Sequence, residues 1–304
     1  FFTATGINMM ILNTISGKLI RIDRRGRLSL FGTVIGATIA VGCGWYFLDR
    51  WLIDGAGADG PRANFEMIFF FTGMTFLGAA VVGLFLKEAP DENQIQRRGG
   101  KDLLLAAFET FKTDRNFRRL AVIAALFGMY LTLFPHYQRL GRDRLDLGLS
   151  ALIPWVLAQN IGAALFSIPT GWLADRYGNR LVLQLIMVVL CVAPVLALAI
   201  SWGAELQPAW FTVVFGLLGL TPVAMRFLNN YTLEIVSRDE HPRYLSTLAF
   251  AIAAPPILLS PLVGALIDSV GFELIFAIVT GCVFTGWLLT FTLAEPRKLS
   301  AGSQ

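Results

Sequence analysis

Charge is scarce in this chain. Asp, Glu, Lys and Arg make up 15% of its 304 residues, against about 25% in soluble globular domains. Hydrophobic residues reach 55% and the mean hydropathy is +0.63, a composition suited to lipid. Cysteine is nearly missing: Cys43, Cys191 and Cys282 stand in three separate apolar runs, without a CxxC spacing or a neighbouring His. That distribution excludes a disulfide framework and a thiolate metal site, and leaves three small core residues. Period-two alternation is also missing, which excludes a transmembrane barrel. No G-x-S-x-G, H-E-x-x-H or P-loop occurs, so no catalytic residue, metal or cofactor is expected.

What the chain does have is a series of long apolar runs: Phe1 to Ile20, Leu28 to Ile53, Asn64 to Leu86, Leu120 to Pro135, Leu149 to Leu173, Leu181 to Trp202, Trp210 to Tyr231, Leu245 to Ile267 and Phe272 to Ala294. A helix needs about 20 residues to cross a hydrocarbon core about 30 Å thick. Backbone polar groups inside lipid are satisfied only in helices or closed barrels. The runs therefore predict nine membrane-spanning helices and an all-α, polytopic fold. Leu120 to Pro135 is the shortest and spans only if Phe117 or His136 and Tyr137 extend it. The chain opens on Phe1-Phe2 with no initiator Met and no basic residue ahead of its first run. That run is not a signal peptide, and the expected beginning of the protein lies upstream.

Of the 25 Lys and Arg residues, nineteen fall on one set of alternating loops: 18–27, 87–119, Arg176 and Arg180, Arg238 and Arg243, Arg297 and Lys298. Five fall on the other set, Arg50, Arg62, Arg139, Arg142 and Arg144. This positive-inside asymmetry places the first set in the cytoplasm. The net charge of +4 then describes topology, and nucleic acid is not an expected partner. Asp143-x-x-Asp146 belongs to a charged outer loop and reads as solvated surface instead of a metal pair. In the long cytoplasmic segment, Leu103, Leu104, Ala107, Phe108 and Phe111 recur at helical spacing opposite charges, which predicts an amphipathic helix on the inner membrane surface.

The cytoplasmic loop "GWLADRYGNR" carries a resemblance. Gly171, Asp175, Arg176, Gly178 and Arg180, with Leu173 and Ala174, match the G-x-L-A-D-R-x-G-x-R signature of the major facilitator superfamily. Asn179 departs from it, because a basic residue is more usual there. In the family the signature lies between helices 2 and 3 and, more loosely, between helices 8 and 9. Four runs follow it here, as expected of the second copy. "RIDRRGR" also falls where the family often has an R-G-R element.

The resemblance implies the fourth to twelfth helices of a bundle of two pseudo-symmetric halves, the first half incomplete. Residues 1–87 are then the remainder of the N-terminal half, 88–117 the connecting loop, 118–294 the C-terminal half and 295–304 a cytoplasmic tail. It further implies a monomeric transporter in the bacterial inner (plasma) membrane, bathed in lipid and moving a small solute by alternating access. Ion or proton coupling stays open, with no mid-span Asp or Glu in support. A drug-proton antiporter is disfavoured, since its Gly-Pro motif is missing from "GTVIGATIAVGCGW". The loop itself is expected to act as an inner gate. Its glycines permit a tight reversal, Asp175 faces the start of the helix near Leu28 to Phe31, and Arg176 and Arg180 anchor helix ends at the headgroups.

Helices 1, 4, 7 and 10 line the family's cavity, which singles out Asn8, Asn13, Tyr130, Arg226, Asn229 and Asn230 here. A charge at a span centre costs about 2.5–3.5 kcal/mol on insertion scales, so it faces a cavity or a partner. Arg226 suits an anionic or carboxylate-bearing solute; the alternative is that it snorkels inward or gates with Glu234. Arg226, Asn230 and Glu234 share one helix face. Glu234 is expected at the gate, paired with Arg176, Arg180 or Arg238. His136 reads as a solvated boundary residue. Gln159 and Asn160 suit either packing or solute contact. Gly32, Gly36, Ala40 and Gly44, with Ala158 and Gly162, form small-residue stripes expected to slide between the halves. Pro255, Pro256 and Pro261 are expected to kink their helix. Two other classes remain: a membrane sensor or scaffold with this fold, and a membrane enzyme, for which convergent acid and base residues are lacking.

Overall fold

The computed structural model describes residues 22–48, 62–85, 109–147, 151–203, 208–237 and 240–295. All regular structure among them is helical. Phe1 to Ile20, with Asn8 and Asn13, lies outside the described residues, as does most of the segment joining the halves. Of that segment, residues 109–113 are helical, with Thr110 buried and Phe111 packed against the core.

The helices in chain order are α1 (Ile22–Cys43), α2 (Arg62–Leu84), α3 (Arg115–Leu131), α4 (Phe134–Leu145), α5 (Leu152–Tyr177), α6 (Asn179–Leu190), α7 (Val192–Trp202), α8 (Phe211–Leu218), α9 (Leu220–Ile235), α10 (His241–Val270) and α11 (Phe272–Thr290). One π-helical turn, Gly44–Leu48, continues α1. Seven stretches among the described residues are long and apolar enough to cross a membrane. The shortest expected run proves the longest of them: α3 and α4 together occupy Arg115–Leu145, 31 residues. Its start is set by Asp114, whose side chain accepts the Phe117 N–H at 2.9 Å as an N-cap.

Three spans are broken by one device. Proline lacks the N–H that would bond the carbonyl four residues earlier. Pro135, Pro194 and Pro222 each stand four residues after the end of a helix, at Leu131, Leu190 and Leu218 respectively. The chain passes each break through shorter bonds, for example Thr132 N–H to the Met129 carbonyl and Cys191 N–H to the Val188 carbonyl. Pro255, Pro256 and Pro261, where a kink was expected, sit inside α10, which continues through them as one helix. The carbonyl that Pro256 leaves without a donor belongs to Ile252. It lies against Gly128 of α3, so closely that a Cβ there would collide with it. A neighbouring helix thus covers the gap.

The buried core belongs almost wholly to α3–α11, with Ala37 of α1 the exception. Its tightest crossing joins α5 to the α8–α9 break. A Cβ on Gly162 would strike the Gly216 carbonyl, and one on Gly219 would strike the Gln159 carbonyl and the Ala163 nitrogen. Small residues let backbones approach where lipid supplies no hydrophobic drive. Gly162 therefore packs within its own half and does not form a sliding contact between halves. The stripe on α1 is corrected in part, since of its expected members Gly44 is buried and Ala40 half-buried but Gly32 and Gly36 are not. Ala37 and Gly44 are buried and Thr33 half-buried along the side facing α5, whereas Gly32 and Gly36 are exposed, and a Cβ on either would meet no atom within 4 Å. On α2, none of the residues from Glu66 to Leu84 is buried.

Candidate solute pathway and inner gate

α9 presents Val223, Ala224, Phe227, Leu228 and Tyr231 to the core. The helical repeat then turns Arg226, Asn229, Asn230 and Glu234 to a half-buried side. Arg226 reaches out of its own half. Its Nη2 donates to Thr33 Oγ1 of α1 and, at 3.4 Å, to Ser167 Oγ of α5. Ser167 is fully buried, and its hydroxyl donates to the Ala163 carbonyl at 2.6 Å, so a lone pair is left for the guanidinium. No carboxylate pairs with Arg226 among the described residues. The side chain therefore meets neutral hydroxyls of two other helices.

The other expected pathway residues are placed differently. Asn229 and Asn230 make no side-chain hydrogen bond among the described residues and share the Arg226 side of α9. Tyr130 is fully buried inside the C-terminal half, edge-on to Phe134 at 6.5 Å and beside Tyr137, with no surface open to a solute. Asn160 bonds back to the Val156 carbonyl at 2.9 Å within its own helix. His136 is not a solvated boundary residue: it is 8% exposed and lies under Gly264 of α10.

At the cytoplasmic end, the signature loop resolves into separate roles. Gly178 links α5 to α6 with φ 94° and ψ 160°, a conformation essentially reserved for glycine. Gly171 has open space around its Cβ direction. Asp175 is exposed in the last turn of α5. The guanidinium of Arg176 lies 5.4 Å from the Trp172 ring and 5.5 Å from the Tyr177 ring, both exposed aromatics. Such amphipathic rings suit the headgroup level. Asn179, the departure from the signature, is buried, where a basic side chain would need a partner.

Arg180 turns into the protein instead of outward. Its Nη2 donates to the Phe291 carbonyl at 2.8 Å, just beyond the end of α11. Arg119 does the same to the Thr292 carbonyl at 2.5 Å. Both cations meet carbonyls that the helix end leaves without donors. Beside them a closed ring of hydrogen bonds joins three segments: Asn116 Nδ2 to Tyr231 Oη at 3.1 Å, Tyr231 Oη to the Ala294 carbonyl at 2.7 Å, and Ala294 N–H to Asn116 Oδ1 at 2.9 Å. Arg180, Glu234 and Glu295 lie near enough to act electrostatically on the Tyr231 hydroxyl. Sequence reasoning missed Asn116, Arg119, Tyr231 and Glu295. It also missed Thr33 and Ser167, hydroxyl residues without any signal beyond their helical register.

On the outer side the ion pairs stay within the C-terminal half. Arg139 pairs with Asp143 at 3.2 Å and Asp268 at 2.5 Å, and Arg144 with Glu273 at 2.8 Å. Asp143 is thereby matched to a cation, and Asp146 serves as the left-handed cap of α4.

Apolar helices of membrane length make this an integral, multi-pass membrane protein. The chain belongs to the Major Facilitator Superfamily, whose family model matches residues 146–304, just over half of its length. The matched region contains α5 to α11 and the signature loop. Members of this family generally transport small solutes and often couple to ions. Among curated proteins, none matches the chain.

Proposed function

We propose that this transporter carries an anionic, carboxylate-bearing solute by alternating access, with Arg226 as the counter-charge. One observation carries the reading: a half-buried arginine inside a span whose described partners are neutral hydroxyls. Removing a guanidinium from water without an anion is costly, and intramembrane charges face a pathway or a partner. Two of its five N–H donors are spent on Thr33 and Ser167, which leaves three for a ligand. Asn229 and Asn230 on the same side of α9 supply neutral donors and acceptors beside it. Asp175, Arg176, Arg180 and Glu234, with the glycines Gly171 and Gly178, serve the inner gate. The charge asymmetry of the loops supports residence in the inner (plasma) membrane with this gate toward the cytoplasm.

The test is uptake into vesicles holding the intact transporter, with acetate, succinate and benzoate as probes. Arg226→Ala is expected to lower uptake of the carried acid roughly thirty- to a hundred-and-fifty-fold at equal protein level, matching about 2–3 kcal/mol for a lost charge-assisted pair. Arg226→Lys should recover part of it. Unchanged uptake in Arg226→Ala rejects the role of this residue. Binding of a probe without uptake would favour a sensor over a transporter.

A further inference from the structure

Arg226 is the residue that joins α9 to α1, and the way it does so has a chemical consequence. A guanidinium offers a carboxylate two forked edges, Nε with Nη2 and Nη1 with Nη2. Nη2 belongs to both. In this structure Nη2 is the donor to both Thr33 Oγ1 and Ser167 Oγ, while Nε and Nη1 have no partner among the described residues. Neither forked edge is therefore free. A carboxylate approaching either one has to take an Nη2 hydrogen from a neutral hydroxyl.

The two hydroxyls are not equivalent. Ser167 sits in the C-terminal half with Arg226, keeps its own bond to the Ala163 carbonyl, and lies at the longer distance. Losing it moves nothing between the halves. Thr33 belongs to α1, packed along α5 through a short buried strip of Ala37 and Gly44. Across this contact, the Arg226–Thr33 bond is a hydrogen bond from a charged donor. Such a bond contributes about 1.5–3 kcal/mol, roughly ten- to a hundredfold in an opening equilibrium.

We propose that the Arg226–Thr33 hydrogen bond is a tether between the halves that an anionic solute releases, because forked binding of a carboxylate takes the donor that holds α1. Thr33 is then a positioning residue whose loss uncouples binding from movement. This inference rests on the anionic reading of Arg226 given above.

Hydrogen exchange of α1 amides in the intact protein tests it, with thermal stabilisation by acetate, succinate and benzoate reporting binding separately. Without solute, Thr33→Val is expected to speed α1 exchange about tenfold, while Thr33→Ser and Ser167→Ala stay near the unaltered protein. A carboxylate that stabilises the protein should speed α1 exchange in the unaltered protein to a similar degree and add nothing in Thr33→Val. Unchanged α1 exchange in solute-free Thr33→Val, or an effect confined to Ser167→Ala, overturns the tether. Faster exchange in Thr33→Val together with a bound carboxylate that leaves α1 protected in the unaltered protein overturns the release. Failure of every carboxylate to bind overturns the anionic reading and the release with it, and the solute-free comparison still decides the tether.

Discussion

The C-terminal half and the face it shows to α1 are held together by different physics. Within the half, helices meet backbone to backbone at Gly128, Gly162 and Gly219, and the end of α11 is tied down by Arg119, Arg180 and the Asn116–Tyr231–Ala294 ring. These contacts have one geometry and no alternative partner. Against α1 the same half offers the Arg226 guanidinium and the Ser167 hydroxyl, which meet Thr33 beside the buried Ala37 and Gly44 of the α1 side. Such contacts break and re-form without opening a cavity. A transporter that works by moving one half past the other needs both kinds, a body that keeps its shape and a seam that does not.

Three substitutions break or sharpen this contrast, taken from the largest expected effect downward. Gly162→Val puts a branched side chain onto the Gly216 carbonyl. It is expected to destabilise the C-terminal half by about 3 kcal/mol, the upper range of overpacking, read as loss of monodisperse protein on size exclusion. Gly36→Val on α1 meets no atom within 4 Å and should leave the elution profile unchanged. Equal damage from both would erase the distinction between body and seam.

Next is Gly178→Ala. At φ 94° and ψ 160° a side chain costs about 1–3 kcal/mol, and the strain falls on the junction of α5 and α6. A lowered melting temperature with binding intact is expected, since the residue shapes the loop and touches no solute. Gly171→Ala, with open space around it, serves as the paired control and should melt normally.

The smallest effect is expected at the outer surface. Arg139→Ala removes pairs with Asp143 and Asp268, but the partners' side chains are 44% and 60% exposed. Exposed pairs contribute about 0–1 kcal/mol and weaken with salt. A melting shift near the limit of detection, vanishing at high salt, is the expected outcome. A large, salt-independent shift would mean that the outer end of the half is as rigidly tied as its cytoplasmic end.

Much of the fold was legible in the sequence. Each apolar run from Leu28 onward corresponds to a helix or a broken pair of helices, because a span must be apolar over a length that the bilayer imposes. Arg226 was legible as well, being the one basic residue inside a run that lies away from its last few positions. Where sequence reasoning went astray, it misjudged faces. Gly32 and Gly36 looked like the contact stripe of α1, yet the buried side is reached from Thr33 and Ala37, one residue on. A single residue is a turn of about 100° around a helix, and an all-apolar helix in lipid carries no polar face to reveal which side meets protein.

By itself the sequence determined that the chain lives in a membrane, where its helices run and which run carries a charge. Those properties depend on residue type along the chain, since lipid acts on each segment separately. Only the tertiary structure decided what that charge touches, which glycines are crossings, and that Arg180 caps α11 while Arg176 lies on exposed rings. Hydrogen bonds and close packing depend on which groups lie a few ångströms apart. In a bundle of apolar helices, the rotation of each helix sets those distances, and the rotation is settled by its neighbours.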